Sequence, residues 1–452
     1  MTRIHYKHAL LPDGWADDVV VHVNDEGNTE SIEKGVGGAD AGCLLPGISN
    51  LHSHAHQRAM AGLAEKSGDS ADSFWTWRTT MYGFLDAIEP HHLHAIASQL
   101  YLEMLKAGYT RVAEFQYLHH QQNGAAYANI AEMSLATLSA AKDVGIGITN
   151  LPVHYQFGGF GGKPVADQQR RFANDPEAFL RIVDELKRAS GDDPNVVTGI
   201  AAHSLRAVTE ESFSEVLDEF ANRVSLPVHI HIAEQTKEVD DCVAWSGARP
   251  VEYLYDNFPV DKNWCLIHAT HMNADETSRL ALSGAVAGLC PTTEGNLGDG
   301  FFNATEFLKD NGVLGIGSDS HISISPTEEL RWFEYGQRLV HRSRNQLAGG
   351  SNRSTGRNLF DRAIAGGARA CGHNSGAIEI GKRADFVVLD TDNPLLYERR
   401  GDDILDSWIF SGNENTVRDV YVGGERVVQN GVHKDESRVN AAFRKTLREL
   451  RS

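Results

Sequence analysis

CLLPGISNLHSH, residues 43–54, is a short apolar stretch that ends in two histidines separated by one residue. Its length and apolar character predict a β-strand over Cys43–His54. Side chains two positions apart on a strand point the same way, so His52 and His54 face one side of it. Two imidazoles placed in this way can bind one metal ion, although an HxH pair alone is a weak motif.

Seven further apolar runs of similar length follow, separated by segments with a helical pattern. The predicted strands after the first are Tyr109–Phe115, Ile146–Tyr155, Val196–His203, Val228–Glu234, Trp264–Ala269, Ala285–Pro291 and Val313–Asp319. Helix signals between them include Pro90, Gly108 and the capping-box spacings Asn273–Glu276 and Asn303–Glu306. Eight strands alternating with helices predict an α/β fold, a (β/α)8 TIM barrel over residues 43–375.

The two chain ends have a different pattern from the middle. Residues 1–42 and 376–433 contain short β-like pieces separated by Gly and Asn turns. We predict that both ends together form one small composite β-sandwich domain. Residues 434–452 predict a C-terminal helix, with Val439, Ala442, Phe443 and Leu447 on the side that docks against the barrel.

Composition excludes several classes of function. The chain has 452 residues and a formal net charge of −19, so it lacks the basic clusters that bind nucleic acid or anionic membranes. The five cysteines are scattered and form no CxxC pair, which favours a reduced cytoplasmic setting. No signal peptide or membrane-spanning run is visible. An acidic small molecule remains a possible partner where a few arginines are placed locally.

Polar residues that bind metals recur at the ends of the predicted strands. His231 and Glu234 end the fifth strand, His268 ends the sixth, and Asp319 ends the eighth. In such barrels the active site lies at the C-terminal ends of the strands. Imidazoles with one carboxylate suit Zn2+, with Fe2+ and Mn2+ as competitors. His229 shares the face of His231 and is an alternative ligand.

These strand ends resemble the amidohydrolase superfamily, which carries HxH on strand one, His on strands five and six, and Asp on strand eight. The fourth strand has no Lys or Glu to bridge two ions, so the resemblance implies one divalent ion. Its ligands are then His52, His54, His231 and Asp319. It also implies that Glu234 shuttles the proton, that His268 contacts the attacking water, and that Asp319 accepts the proton of that water. Because Glu234 lies three residues after His231, His231 is preferred to His229.

A narrower resemblance covers the barrel almost end to end. The segments LHSHAHQRAMAGL, SFWTWR, EFQYLHH, AAHSLRAV, HIHIAEQ and CPTTEGNLGDG, which begin at Leu51, Ser73, Glu114, Ala201, His229 and Cys290, are similar to those of formimidoylglutamate deiminases. The matching positions imply five substrate contacts: Gln57, Arg78, Tyr117, His203 and Arg206. Two arginines suit a dicarboxylate, since a guanidinium offers a planar fork for a carboxylate. His56 stands where that family usually has an aromatic residue.

The resemblance implies hydrolysis of N-formimidoyl-L-glutamate to N-formyl-L-glutamate and ammonia, a step of histidine degradation. It also implies a cytoplasmic homodimer that holds one divalent ion, Zn2+ in first place. One alternative is a deaminase of guanine or another aromatic amidine, which the paired arginines disfavour. A second is a catalytically silent scaffold, which the complete set of strand-end residues opposes. A third, a hydrolase of cyclic amides, is favoured only by a two-metal site with a bridging lysine.

Overall fold

The computed structural model describes residues 2–65, 74–220, 226–349 and 352–451. Within these ranges, seventeen strands lie in two sheets, one from the chain ends and one from the middle of the chain. The strands are β1 Thr2–Leu11, β2 Gly14–Val23, β3 Thr29–Glu33, β4 Asp40–Pro46, β5 Ile48–Ser53, β6 Tyr109–Gln116, β7 Gly147–His154, β8 Val196–Thr198, β9 Ile200–Ala202, β10 Val228–Ile232, β11 Trp264–His268, β12 Val286–Leu289, β13 Val313–Ile316, β14 Phe386–Leu389, β15 Val417–Val422, β16 Glu425–Gln429 and β17 Val432–His433.

Strands β5 to β13 form the predicted barrel. They pair in parallel in the order β13-β12-β11-β10-β9-β7-β6-β5, with β8 as a second short piece beside β7. The two ends of this path meet where Ser53 pairs with Asp319. There the Asp319 N–H donates to the His52 carbonyl (3.0 Å) and the His54 N–H donates to the Asp319 carbonyl (3.2 Å). The barrel therefore closes at three of the predicted metal ligands.

Helices connect the barrel strands and cover them from outside, as the alternating pattern predicted. The helices are α1 Phe74–Leu85, α2 Pro90–Ala107, α3 Glu132–Val144, α4 Pro176–Ser190, α5 Glu210–Glu219, α6 Thr236–Ser246, α7 Pro250–Asn257, α8 Ala274–Ser283, α9 Pro291–Leu297, α10 Ala304–Lys309, α11 Pro326–His341, α12 Thr355–Ala370, α13 Asp402–Phe410 and α14 Glu436–Glu449. Among the described residues, no helix is both long and apolar enough to cross a membrane.

The local helix signals had mixed outcomes. Gly108 ends α2 with φ of 103°, a conformation that glycine adopts without strain. Asn273 and Glu276 form the predicted capping box at the start of α8. The capping prediction for Asn303 was wrong, because its side chain makes no capping hydrogen bond to α10. Helix α13 lies in a region where only β-structure was predicted.

The chain ends form one mixed sheet in the order β17-β16-β15-β14-β4-β1-β2-β3. One face of this sheet buries its own apolar cluster, to which the first strands and β14 both contribute. The predicted strand Cys43–His54 is in fact two strands. Residues 43–46 belong to β4, which pairs with β1 and β14, and only β5 enters the barrel. A Cβ on Gly47 would lie 2.3 Å from the Thr110 hydroxyl oxygen, so the chain needs glycine at this crossing.

The C-terminal helix packs on the barrel, as predicted. Helix α14 lies against α2, where Lys106 forms a 2.6 Å ion pair with Glu436. Val439 is buried at this contact. The division of the chain at residues 42, 375 and 433 stays a prediction, although the strand bounds place residues 43–46 in the sheet of the chain ends.

Candidate active site

Each barrel strand contributes a side chain at or just beyond its C-terminal end. In strand order the residues are His52 with His54 after β5, Tyr117 after β6, Tyr155 after β7, His203 after β9, His231 at β10, His268 at β11, Glu294 on the helix after β12, and Asp319 after β13. Parallel strands of a barrel end at one face, so these side chains converge there.

The candidate metal centre consists of three imidazoles and one carboxylate, all buried. The Nε2 atoms of His52, His54 and His231 lie 3.0–3.3 Å from one another. Asp319 Oδ1 lies 3.4 Å from His52 Nε2 and 3.3 Å from His54 Nε2. In a regular tetrahedron the centre is about 0.61 of an edge from each corner, so these edges fit ligand bonds of about 2 Å, as zinc makes with nitrogen and oxygen.

The nitrogen that carries the proton in each histidine ring shows whether a cation fits this centre. His54 Nδ1 donates to the Phe115 carbonyl (3.0 Å), and His231 Nδ1 donates to the His203 carbonyl (2.8 Å). Burial lowers the pKa of His54 and His231, so both rings are neutral and their Nε2 atoms carry lone pairs. Two lone pairs 3.3 Å apart cannot bond to each other. A cation between them satisfies both, so the donor set fits a metal ion.

The alternative ligand His229 points elsewhere. Its Nε2 donates to the carbonyl of Ala370 at 2.8 Å, and it is not part of the quartet of potential ligands. His229 and His231 lie on the same face of β10, but His229 is two residues farther from the C-terminal end of the strand. His231, three residues before Glu234, reaches the C-terminal face.

Two residues placed for proton transfer lie beside the quartet. His268 Nε2 is 3.7 Å from Glu234 Oε1 and 3.8 Å from Asp319 Oδ2. Burial alone lowers the pKa of His268, but the carboxylates of Glu234, Glu294 and Asp319 outweigh it and raise the pKa to about 10. Burial raises the pKa of Glu234 above that of a free glutamate. The site therefore places two groups that can carry a proton, Glu234 and His268, side by side.

Sequence reasoning missed two carboxylates on the segment after β12. Glu294 Oε1 lies 3.2 Å from His268 Nδ1 and also accepts from the Cys290 N–H at 2.9 Å. Asp299 accepts from the Gln235 side chain and lies close to Glu234 and His268. Both belong to the quoted segment CPTTEGNLGDG, and that membership was the one available signal.

A cavity opens onto the metal centre. All of the predicted substrate contacts line it, as do Glu234, His268 and Asp319. Further lining residues are Trp77, Met81, Tyr82, Tyr155, Phe172 and Leu297. The structure thus brings every predicted site residue to one place, with His52 buried beneath the cavity floor. Ser73, at the head of SFWTWR, lies outside the described residues.

One wall of the cavity consists of short polar contacts around Tyr117. Gln57 Nε2 donates to the Tyr117 hydroxyl at 3.2 Å, and His56 Nε2 lies 3.0 Å from the same oxygen. His56 is fully buried, with its pKa lowered well below the usual value by burial. The unusual histidine in the first loop therefore holds Tyr117.

Another part of the cavity lining carries the two arginines. Arg78 on α1 lies over the Tyr82 ring, 5.1 Å from its centroid, and Arg206 donates to the Ser204 hydroxyl. His203 is half-buried beside them; desolvation first, and the two arginines next, hold its pKa well below the usual range. A neutral imidazole and two guanidinium groups form a cationic wall that suits an anion.

Comparison with known proteins agrees with this geometry. The model of the amidohydrolase family matches residues 43–427, and the model described as the N-terminal domain of formimidoylglutamate deiminase HutF matches residues 1–42. The chain therefore belongs to the amidohydrolase family. A formimidoylglutamate deiminase of Pseudomonas aeruginosa is 52% identical over 459 residues, with 100% of each chain covered. Within the family, the chain groups with the formimidoylglutamate deiminases, and both predicted resemblances are confirmed.

Solved structures show the same fold. An amidohydrolase from Brucella melitensis superposes with a TM-score of 0.95 at 48% identity, with 100% of each chain covered. An adenosine deaminase from Xanthomonas campestris, solved with bound zinc, gives a TM-score of 0.82 at 21% identity, covering 99% of this chain and 98% of that one. The predicted barrel of amidohydrolase type is confirmed.

Proposed function

We propose that the protein hydrolyses N-formimidoyl-L-glutamate to N-formyl-L-glutamate and ammonia in histidine degradation. One observation carries the proposal: three members of the metal quartet, the pair Glu234 and His268, and the arginines Arg78 and Arg206 line one cavity, with His52 beneath its floor. The full-length likeness to a formimidoylglutamate deiminase supports the same substrate. A neutral ring such as guanine has no carboxylate to match the charge of the two arginines.

The metal would be held by His52, His54, His231 and Asp319, and Zn2+ is the ion we propose, with Fe2+ and Mn2+ as competitors. A divalent ion in such a site lowers the pKa of water toward neutrality and so supplies a strong nucleophile. Three imidazoles and one carboxylate form a ligand set that suits zinc, and the hydrogen bonds from Nδ1 of His54 and of His231 leave their Nε2 atoms for the ion.

The protein residues move the protons. Asp319 accepts one proton of the water as the water oxygen attacks the formimidoyl carbon, and Glu234 gives its own proton to the imino nitrogen. The proton on Asp319 then passes to the same nitrogen, which leaves as ammonia when the C–N bond breaks. The second proton of the water returns to Glu234 as the formyl carbonyl forms. The His268 imidazolium donates a hydrogen bond to the oxygen that becomes the formyl carbonyl. Its position 3.8 Å from Asp319 Oδ2 and 3.7 Å from Glu234 suits this relay.

The substrate is held by the cationic and polar walls of the cavity. Arg78, Arg206 and His203 bind one carboxylate, while Gln57 and Tyr117 bind the other. This division follows from the contacts, because His203 lies beside the two arginines and Gln57 donates to the Tyr117 hydroxyl. A carboxylate held by two guanidinium groups resists release, so Arg206→Ala is expected to raise KM far more than it lowers kcat.

Ammonia release from N-formimidoyl-L-glutamate tests the proposal. We expect release by the metal-loaded enzyme, none by chelated protein, and none from guanine. Glu234→Gln should abolish release while one metal ion per chain remains bound, and Glu215→Gln, the same change on an exposed carboxylate, should do neither. Release from guanine alone, or from neither compound, would reject the substrate.

We also infer a cytoplasmic homodimer. All five cysteines are free and buried, which suits a reducing compartment. Helix α11 exposes an apolar stripe that a second copy could cover, with Trp332 45%, Leu339 69% and Val340 49% exposed. Sedimentation of the protein would give twice the chain mass for a dimer, and the chain mass itself would exclude it.

A further inference from the structure

Tyr155 is a buried residue of the cavity wall that no family motif picks out. It follows β7 directly and lines the cavity beside Arg78, Arg206 and His203. Only 3% of it is exposed, and its ring packs edge-on against His203 with centroids 4.8 Å apart. The ring therefore has one fixed position, and its hydroxyl has a small choice of partners.

Both protein partners of the Tyr155 hydroxyl are donors. Gln169 Nε2 donates to it at 2.6 Å, and Arg78 Nη2 donates over a longer 3.4 Å. The Gln169 amide cannot be turned round, because its Oε1 accepts from the Ala166 N–H at 2.8 Å. A guanidinium has no acceptor at all. Both lone pairs of the phenol oxygen are thus in use.

A hydroxyl that accepts twice still has one proton to donate. No acceptor for that proton lies within hydrogen-bonding distance among the residues that the structure describes. Leaving a buried donor unsatisfied is costly, so such groups normally face a ligand or water. The cavity at this point is bounded by two guanidinium groups, where a carboxylate is the expected acceptor.

We propose that Tyr155 determines specificity by donating its O–H to the same substrate carboxylate that Arg78 and Arg206 bind; this rests on the function proposed above. Gln169 enforces the direction of the donation. An amide or ammonium group at this position would meet Tyr155, Arg78 and Arg206 as donors, and its own N–H groups would lack acceptors. The wall therefore selects an anion and rejects its neutral analogue.

Tyr155→Phe tests the proposal because it removes the hydroxyl and keeps the ring. A hydrogen bond to a charged group is strong enough that KM should rise about 10-fold or more, with a much smaller change in kcat. Tyr127→Phe is the matched control, since its hydroxyl already donates to Glu89 at 3.0 Å outside the cavity. If Tyr155→Phe leaves KM unchanged while the unaltered enzyme turns over normally, the proposed role of Tyr155 is wrong and the proposed function is unaffected.

Truncated substrates identify the carboxylate. 4-(Formimidoylamino)butanoate lacks the α-carboxylate, and N-formimidoyl-L-2-aminobutyrate lacks the side-chain carboxylate. With one of these two analogues as the substrate, Tyr155→Phe and Arg206→Ala should both have the same KM as the unaltered enzyme. If the two variants lose their effect with different analogues, they bind different groups and the proposal is wrong. Absence of turnover of N-formimidoyl-L-glutamate by the unaltered enzyme would instead reject the proposed function.

Discussion

Glu294 is expected to control catalysis through His268. Its Oε1 lies 3.2 Å from His268 Nδ1 and accepts from the Cys290 N–H at 2.9 Å. Glu294→Ala removes the carboxylate that orients the ring. Loss of a hydrogen bond to a charged group costs about 1.5–3 kcal/mol, which lowers kcat about 10- to 150-fold if His268 acts only when so oriented. Glu294→Gln keeps a neutral acceptor and should lower kcat less, about 5-fold.

Steady-state ammonia release, metal content and thermal unfolding together form the assay. Glu329→Gln is the matched control, because Glu329 is also buried and holds the start of α9 through Thr292, at 2.9 Å from its N–H, without touching His268. It should lower stability and leave kcat nearly unchanged. A Glu294→Ala protein that binds metal and retains full kcat would refute the reasoning. So would an equal loss of kcat in Glu329→Gln, since the effect would then belong to α9 as a whole.

Three further changes have defined outcomes. Asp319→Asn should fold, because Asn tolerates the left-handed φ of 46° and keeps the backbone bond to His52, yet ammonia release should fall about 10²- to 10⁴-fold; near-normal turnover would defeat the mechanism. Gly366→Ala should unfold at much lower denaturant than the parent, since its Cβ would lie 1.8 Å from the Leu314 carbonyl oxygen, whereas Gly83→Ala, in open space on α1, should add about 0.5–1 kcal/mol. Chelation should lower Tm, because a ligand at 100 times its Kd contributes about 2.7 kcal/mol, and an unchanged Tm would contradict a metal in the quartet.

The strand-end residues could be predicted because the barrel fixes where they go. Two histidines on one strand share a face, and parallel strands end together, so spacing placed His52 beside His54 and at the same end of the barrel as Asp319. The resemblance to the amidohydrolase superfamily then joined them into one set of ligands. The choice between His229 and His231 needed more than spacing, since both share a pleat face. It was resolved by Glu234, three residues on, and the structure agrees.

Contacts between distant side chains could not be predicted in the same way. The hydrogen bond from Gln169 to Tyr155 joins the connection between β7 and α4 to the end of β7, and no periodic pattern in the sequence predicts it. Glu294 lies inside α9 and reads in the sequence as an ordinary helical carboxylate. The break of the first predicted strand at Gly47 depends on Thr110, a residue of the neighbouring strand. Such features arise from packing, which a single sequence does not encode locally.

The contacts that close the barrel also bring the proposed metal ligands together. The seam between β13 and β5 is held by backbone bonds of Asp319 to His52 and His54, which are themselves proposed ligands. A Cβ on Gly317 would lie 2.8 Å from the His52 nitrogen, so the two strands approach as closely as backbones can. A bound ion would therefore tie the first barrel strand to the last. This is why the residues that decide the fold also point to the chemistry: the same contacts serve both.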